Sequence, residues 1–364
     1  WDFRMKINLP YGKTMLKINV PKTISCQITK PNKQKHLIYP TKDLEKQLAN
    51  PLGTLPLAQL AVGKRNVCIV ISDITRPVPY KIILPPILKI LRNQSVPVLH
   101  ITILVATGLH RPATRLELVE MLGKEIVIKY HIVNHNALDK NQLIHVGNLD
   151  TKLPVWINKH YCQADLKILT GLIEPHFMAG FSGGAKSICP GIAGKETILE
   201  QHSPKYIEPD NATIGIIKNN PFLYACQRIA GLIPPDFVVN TVIDSNRRII
   251  GTFAGKLGTV FQQGVELTKQ NVVCRISQPV DVVITSGGGY PLDTTFYQSV
   301  KGIITAGSIV KKGGTVIIAA SCLQGVGGRE FTQLITGIRS EREFYKKIKF
   351  NSVIDQWQVE ELYK

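Results

Sequence analysis

Short apolar runs rich in β-branched residues alternate with helix-like segments through most of the chain. The runs that fit buried strands lie at residues 66–72, 98–106, 126–133, 166–172 and 237–242. The segments with helical spacing lie at residues 80–92, where Pro85-Pro86 predicts a break, and at 116–122 and 260–269. Parallel strands need a long crossover between them, usually a helix. The alternation therefore predicts an α/β fold with a parallel sheet covered by helices.

The same rhythm restarts after Gln278-Pro279. Strand patterns lie at residues 280–285 and 315–320, and helix patterns lie at 295–305 and 339–349. We therefore expect two α/β domains with parallel-type sheets flanked by helices, residues 1–274 and residues 275–364. A cleft between the two domains is the place where we expect the active site.

Charge and hydropathy argue against several classes of protein. The 364 residues carry 44 Lys and Arg against 26 Asp and Glu, a formal net charge of +18, but the basic residues are scattered and form no long run. No apolar stretch reaches the roughly 18 residues that span a bilayer, and the first residues lack the order of a signal peptide. We expect a cytoplasmic protein that binds neither nucleic acid nor membrane, truncated near its C-terminal end.

Polar side chains gather in three segments that each follow a predicted strand. These segments are residues 73–79, 107–114 and 174–202. Ligands in open α/β sheets bind beyond the carboxyl ends of the strands. We therefore expect the three segments to converge on one site.

The segment from Gly180 to Ser187 resembles a phosphate-binding P-loop but has Ala185 where that pattern requires glycine. One interpretation is a nest of backbone amides, built on Gly183 and Gly184, that binds an anion. Another is a glycine-rich turn that leaves Lys186 in solvent. A nucleotide hydrolase is the third.

His110 and His176 each lie in a tight loop after a strand. A single loop histidine is usually a hydrogen-bonded structural residue. Two of them beyond neighbouring strands fit an acid and a base on opposite faces of a substrate, because histidine exchanges protons near neutral pH.

Asp73, Thr75 and Arg76 share a turn stiffened by Pro77 and Pro79. Arg76 can grip a carboxylate or phosphate with two hydrogen bonds, and Asp73 can accept from ribose hydroxyls. The other interpretation is that Asp73 or Thr75 caps the following helix. The two interpretations are compatible.

Gln298 and Lys301 follow a triple-glycine turn, Gly287 to Gly289. Their spacing of three places both side chains on one face of a helix. They either face solvent or reach into a cleft.

Taken together, these segments resemble the nickel-dependent lactate racemase family, whose members use a nickel-pincer nucleotide. The resemblance rests on ordered motifs along almost the whole chain: Asp73-x-Thr-Arg-Pro, Gly108-x-His-Arg-Pro, Glu174-Pro-His with Gly-Phe-Ser-Gly-Gly-x-Lys186, His202, Tyr297-Gln298-x-x-Lys301 and Asp355-Gln356-Trp357. Many relatives carry arginine where Ala185 stands, and the family continues beyond Trp357.

The resemblance implies a racemase or epimerase of a small 2-hydroxy acid, acting by reversible hydride transfer. It implies His110 and His176 as the acid and base, His202 as nickel ligand, Lys186 as the covalent link to the cofactor, and residues 1–274 as the cofactor-binding and catalytic domain. The remaining implied contacts are Arg76, Gln298, Lys301, Tyr297 and Trp357 to the substrate and Asp73, Thr75, Gly183 and Gly184 to the cofactor. Cofactor-synthesis enzymes are the implied partners. The alternative is a homologue that binds the cofactor without turnover.

Overall fold

The computed structural model describes residues 3–32, 34–149, 153–349 and 353–363. Its contacts divide the chain into a larger unit, Pro31–Val273, and a smaller unit made of Trp1–Lys30 and Cys274–Lys364. The N-terminal residues thus group with the C-terminal segment, whereas the sequence pattern had placed them in the first domain. Within the smaller unit, Gly12 donates its N–H to Oδ2 of Asp293 and accepts from the N–H of Tyr290, both at 2.8 Å. Local periodicity carries no signal of contacts so distant in sequence.

The larger unit contains ten strands and ten α-helices among its described residues. The strands are β3 Val67–Ser72, β4 Ile101–Ala106, β5 His131–Asn134, β6 Leu143–Leu149, β7 Leu153–Asn158, β8 Leu166–Leu172, β9 Pro175–His176, β10 Gly180–Phe181, β11 Phe237–Ile243 and β12 Ile249–Gly255. The helices are α1 Pro40–Ala49, α2 Leu57–Leu60, α3 Tyr80–Asn93, α4 Arg115–Leu122, α5 Lys124–Lys129, α6 Lys159–Cys162, α7 Lys195–Gln201, α8 Pro204–Ile207, α9 Pro221–Leu232 and α10 Leu257–Val272.

A six-stranded sheet forms the centre of this unit, in the order β12-β11-β8-β3-β4-β5. β3 pairs in parallel with both β4 and β8, and only the edge strand β12 runs antiparallel to its neighbour. Side chains on both faces of the central strands are buried, as a helix-covered parallel sheet requires. The predicted α/β fold is confirmed. Chain order reverses at β3, and ligands in such folds bind at this point.

Two local predictions were wrong. Helix α3 runs without interruption through Pro85 and Pro86, because its buried face, which includes Ile83, Ile87 and Leu91, holds it against the core. The segment 126–133 was predicted as one strand, but it divides into the end of α5 and the start of β5. Short apolar runs fit a buried helix as well as a strand, and periodicity alone does not separate the two.

The smaller unit contains an antiparallel hairpin of β1 Phe3–Tyr11 and β2 Thr14–Pro21. It also contains a parallel pair, β13 Val280–Ser286 and β14 Val310–Ala319, connected through α11 Phe296–Gly307. The chain then forms α12 Arg329–Gly337, α13 Glu341–Ile348 and α14 Gln356–Tyr363. Val300, Phe331 and Phe344 lie in the core of this unit. Among all the described helices, none combines the length and the apolar composition that crossing a bilayer requires.

A buried histidine after β5 connects the sheet to the loop that precedes α7. His135 donates from Nε2 to the carbonyl of Ala193 at 2.8 Å, and its Nδ1 accepts from Nδ2 of Asn158 at 3.0 Å. Burial lowers the pKa of His135 to about 4. The ring therefore stays neutral in the folded protein at pH values where an exposed histidine takes up a proton.

We predict that His135 makes the fold sensitive to mild acid. The unfolded chain binds a proton at this residue near pH 6.5 and the folded chain near pH 4, so about 3 kcal/mol of stability is lost as pH falls across that window. The free energy of unfolding of His135→Asn, measured with urea at a series of pH values, should depend less steeply on pH than that of the wild type. The difference in slope should correspond to the uptake of about one proton on unfolding. His145→Asn, at an exposed position, should keep the wild-type slope. Equal slopes for His135→Asn and wild type would contradict the assignment.

Candidate active site

Three loops leave the carboxyl ends of the adjacent strands β3, β4 and β8. They are the predicted segments 73–79, 107–114 and 174–202, and the parallel pairing of the three strands brings them to one edge of the sheet. The predicted convergence within the larger unit follows from this topology. Side chains of these loops also contact each other directly.

Asp73, at the end of β3, meets His110, after β4. Oδ2 of Asp73 lies 2.7 Å from Nδ1 of His110, and Oδ1 accepts from the backbone and hydroxyl of Thr75 at 3.2 and 2.6 Å. Burial would raise the pKa of Asp73, but His110, the Thr75 hydroxyl and Arg76 outweigh it and hold the pKa below its ordinary value. The carboxylate accepts the Nδ1 proton, which puts the lone pair of the neutral His110 ring on Nε2.

These contacts also decide the alternative interpretation of the turn. Helix α3 begins at Tyr80 with Pro79 at its N-cap, and no side chain caps it. Asp73 and Thr75 are therefore not capping residues. They hold the turn and orient His110.

Arg76 forms an ion pair with Glu174 across the β3 and β8 loops. The sequence singled out Arg76 as an anion-binding residue but did not identify this partner. Both side chains are only partly exposed, at 21% and 26%. An incoming carboxylate therefore has to compete with Glu174 or displace it.

His176 is buried, and its hydrogen bonds fix the opposite tautomer from that of His110. Nδ1 accepts from the backbone N–H groups of Met178 and Ala179, both at 3.2 Å. A neutral ring with an accepting Nδ1 carries its proton on Nε2. In the neutral rings, His110 therefore has its lone pair on Nε2 and His176 has its proton there.

Lys186 and His202 lie in environments that favour their neutral forms. Burial lowers the pKa of Lys186 to about 8, with Arg76 acting in the same direction and the Cys226 thiol opposing it. Burial lowers the pKa of His202 to about 3. Nδ1 of His202 donates to the carbonyl of Ile198 at 2.9 Å, which puts the lone pair of the neutral ring on Nε2.

The glycine-rich segment does not form a P-loop. A P-loop leads from a strand into an α-helix, whereas here β8 ends at Leu172 and Lys186 lies in a short 3-10 helix, Gly184–Ser187. Gly183 has a φ of +84°, and a Cβ there would lie 2.8 Å from the Ile173 side chain. The amide of Gly184 already donates to Oδ1 of Asn240 at 3.1 Å. Packing and backbone conformation thus account for these glycines.

The predicted residues of the smaller unit also come together. Lys301 donates from Nζ to Oε1 of Gln298 at 2.5 Å, so the pair shares one face of α11 as predicted. Nε1 of Trp357 donates to the hydroxyl of Tyr297 at 3.1 Å and links α14 to α11.

Phe222, on α9, is a site neighbour that the sequence did not reveal. Its ring contacts Lys186, His202 and His176. The segment reads as an ordinary amphipathic helix after an Asn220-Pro221 start, so no local signal marks this phenylalanine. Among the described residues, no three His, Cys, Asp or Glu side chains gather as a metal site.

Family comparisons match both parts of the chain. The lactate racemase N-terminal domain matches residues 11–215, and the lactate racemase C-terminal domain matches residues 276–364. The chain belongs to the lactate racemase family. It is accordingly an isomerase, which sets aside the nucleotide hydrolase and the homologue without turnover.

Individual relatives agree with this family. The chain is 38% identical over 362 residues to a lactate racemase of Lactiplantibacillus plantarum, covering 96% of this chain and 84% of the relative. It is 36% identical over 364 residues to the lactate racemase of Thermoanaerobacterium thermosaccharolyticum, covering 97% of this chain and 84% of the relative.

Solved structures agree as well. The lactate racemase apoprotein of Thermoanaerobacterium thermosaccharolyticum superposes with a TM-score of 0.88 at 36% identity, over 98% of this chain and 85% of that one. A Thermotoga maritima protein with a TM-score of 0.70 and 18% identity, over 90% of this chain and 83% of that one, shares the fold.

We predict that Lys186 reacts as an amine at unusually low pH. With its pKa lowered to about 8, half of its amino groups are neutral at that pH, against an ordinary lysine value of about 10.4. Brief reductive methylation at a series of pH values, quantified by peptide mass spectrometry, should show half-maximal labelling of Lys186 near pH 8. Exposed Lys89 in the same digest serves as the internal comparison. Labelling of Lys186 that begins only near pH 10 would contradict the assignment.

Proposed function

We propose that this protein racemises a small 2-hydroxy acid, with lactate as the first substrate to test, using a nickel-pincer nucleotide. The observation that carries the proposal is the pair of oppositely set histidines, His110 and His176, in loops that also hold Lys186 and His202. The curated relatives named lactate racemase point to the same substrate class. We further propose a cytoplasmic location, where cofactor-synthesis enzymes supply the nucleotide.

The residues present fit this cofactor. A lysine with a pKa near 8 supplies the neutral amine that a thioamide link requires. Imidazole nitrogen is a ligand that suits nickel, and the Nε2 lone pair of His202 stays unprotonated at neutral pH. When bound, the nucleotide supplies a hydride acceptor and donor. Asp73, Thr75, Gly183 and Gly184 are the further contacts that we assign to it from the resemblance.

Hydride transfer suits this substrate for a physical reason. Removing the C2 hydrogen as a proton would leave a carbanion beside a carboxylate that is already negative. Removing it as a hydride, while the hydroxyl loses a proton, leaves a neutral ketone. The protein then has to accept and return one hydroxyl proton and to bind one carboxylate.

His110 is set to accept the hydroxyl proton. Asp73 holds its Nδ1 proton, so Nε2 takes the new proton, and the adjacent carboxylate stabilises the imidazolium that results. The hydrogen bond also fixes the orientation of the ring before substrate binds.

In this proposal His176 acts from the opposite face of the substrate, through the proton on its Nε2. To release that proton completely, the ring must enter the reaction doubly protonated, because an imidazolate is too unstable at neutral pH. Nδ1 would then stop accepting from Met178 and Ala179. The two histidines can therefore exchange roles only when these backbone hydrogen bonds break and reform.

Cationic side chains hold the substrate in this proposal. We assign Arg76 and Lys301 to the carboxylate. From the resemblance we assign the neutral side chains Gln298, Tyr297 and Trp357 as further substrate contacts. Anchoring the carboxylate allows the keto group to rotate and to present its other face without leaving.

We predict that each histidine is needed in both directions. His110→Asn and His176→Asn should each lower kcat for L-to-D and D-to-L conversion of lactate by about a hundredfold or more, with a smaller change in KM. Chiral chromatography of the products checks this. His36→Asn, at an exposed position, is the matched control and should retain full activity. Full activity in a variant lacking both His110 and His176 would contradict the proposal.

We predict that Lys186 is the point of cofactor attachment. Protein co-produced with the cofactor-synthesis enzymes should carry nickel and a mass addition in intact mass spectrometry. Lys186→Ala should lose the addition and most of the nickel, whereas Lys195→Ala should keep both. An addition that persists in Lys186→Ala would contradict the covalent link at Lys186, and the absence of both the addition and nickel from every sample would contradict the cofactor.

A further inference from the structure

A single aromatic ring contacts three of the groups on which the proposed function depends. Nζ of Lys186 lies over the face of Phe222, 5.0 Å from the ring centroid. The ring of His202 meets Phe222 in a T-shaped arrangement, with centroids 4.9 Å apart and planes at 83°. The ring of His176 stacks at 6.3 Å and 21°. No solvent reaches Phe222, which is fully buried.

Hydrogen bonds at the start of α9 keep this ring in place. Asn220 caps the helix by accepting from the N–H of Leu223 at 2.9 Å. Its Nδ2 donates to the carbonyls of Met178 and Ile216, at 2.8 and 2.9 Å. Met178 is also one of the residues whose amide holds His176. The helix start that carries Phe222 is thus fixed to the same loop as His176.

The chemistry of the contacts matches the groups involved. The negative face of an aromatic ring attracts an ammonium group, and the positive edge of a second ring packs favourably against it. Each contact favours one orientation of the partner. An aliphatic side chain at this position would fill space without favouring any orientation. The ring therefore restricts where the Lys186 amine lies and how the His202 ring is turned. It acts on His176 together with Phe177, whose ring stacks on His176 at 4.8 Å and 10°.

We propose that Phe222 is a positioning residue that sets the relative placement of Lys186, His202 and His176. Phe222 touches no reacting atom in this proposal and acts through the three groups that it contacts. The proposal rests on the proposed function for its effect on turnover, but the placement itself can be tested in the apoprotein.

Substitution of the ring by an aliphatic side chain tests the proposal, with a matched core phenylalanine as control. Phe222→Leu removes the aromatic face, and Phe237→Leu makes the same change at a fully buried position on β11. Phe222→Met and Phe237→Met form a second pair that fills more of the volume, for use where the leucine variant does not fold. Thermal unfolding of each pair shows the shared cost of core truncation.

The first readout uses the apoprotein and does not depend on cofactor. Ring-proton signals of His202 and His176 in histidine-labelled protein should move in the Phe222 variant, because the ring current of Phe222 is lost, and should stay in the Phe237 variant. Unmoved signals in the Phe222 variant would overturn the placement.

The second readout uses protein loaded by the cofactor-synthesis enzymes. The Phe222 variant should show covalent loading and nickel content reduced about tenfold, or kcat reduced about a hundredfold with little change in KM, since small misplacements cost that much. Loading and kcat equal to those of the Phe237 variant would overturn the positioning role. Wild-type protein that carries neither nickel nor a mass addition would instead overturn the proposed function, and the apoprotein readout would still decide the placement of Phe222.

Discussion

The parallel pairing of β3 with β4 on one side and β8 on the other is the constraint on which the site depends. It brings Asp73 to His110 and Arg76 to Glu174, pairs that lie 37 and 98 positions apart in the chain. A register shift in either pairing would move these loops apart and turn buried side chains outward. The buried, β-branched strands that stabilise the sheet therefore also set the geometry of the proposed catalytic groups.

Burial then sets the charge of each group before any ligand arrives. His202 stays neutral and the pKa of Lys186 falls to about 8, while the pKa of Asp73 stays low because His110, Thr75 and Arg76 outweigh its burial. Functional sites are where such displaced pKa values gather. Here the displacement favours a neutral imidazole at His202, a reactive amine at Lys186 and a carboxylate at Asp73 that orients His110. These are the states that the proposed cofactor and reaction require.

The sequence predicted those parts of the structure whose signal is local. Strands predicted at 66–72 and 166–172 occur at Val67–Ser72 and Leu166–Leu172, because β-branched content and punctuation by loop residues are visible in a short window. The Glu174 partner of Arg76 and the contacts of Phe222 were not predictable, because they depend on which strands and helices become neighbours. The break predicted at Pro85-Pro86 was wrong because tertiary packing of α3 outweighed the strong local preference of proline against a helix interior.

The fate of the C2 hydrogen tests the central chemical claim most directly. L-lactate carrying deuterium at C2 would be racemised in ordinary water by the loaded protein, and the D-lactate would be analysed by mass spectrometry. If the hydrogen leaves and returns as a hydride, the D-lactate keeps its deuterium. D-lactate that carries protium at C2 would show exchange of a C2 proton with solvent and would contradict the account.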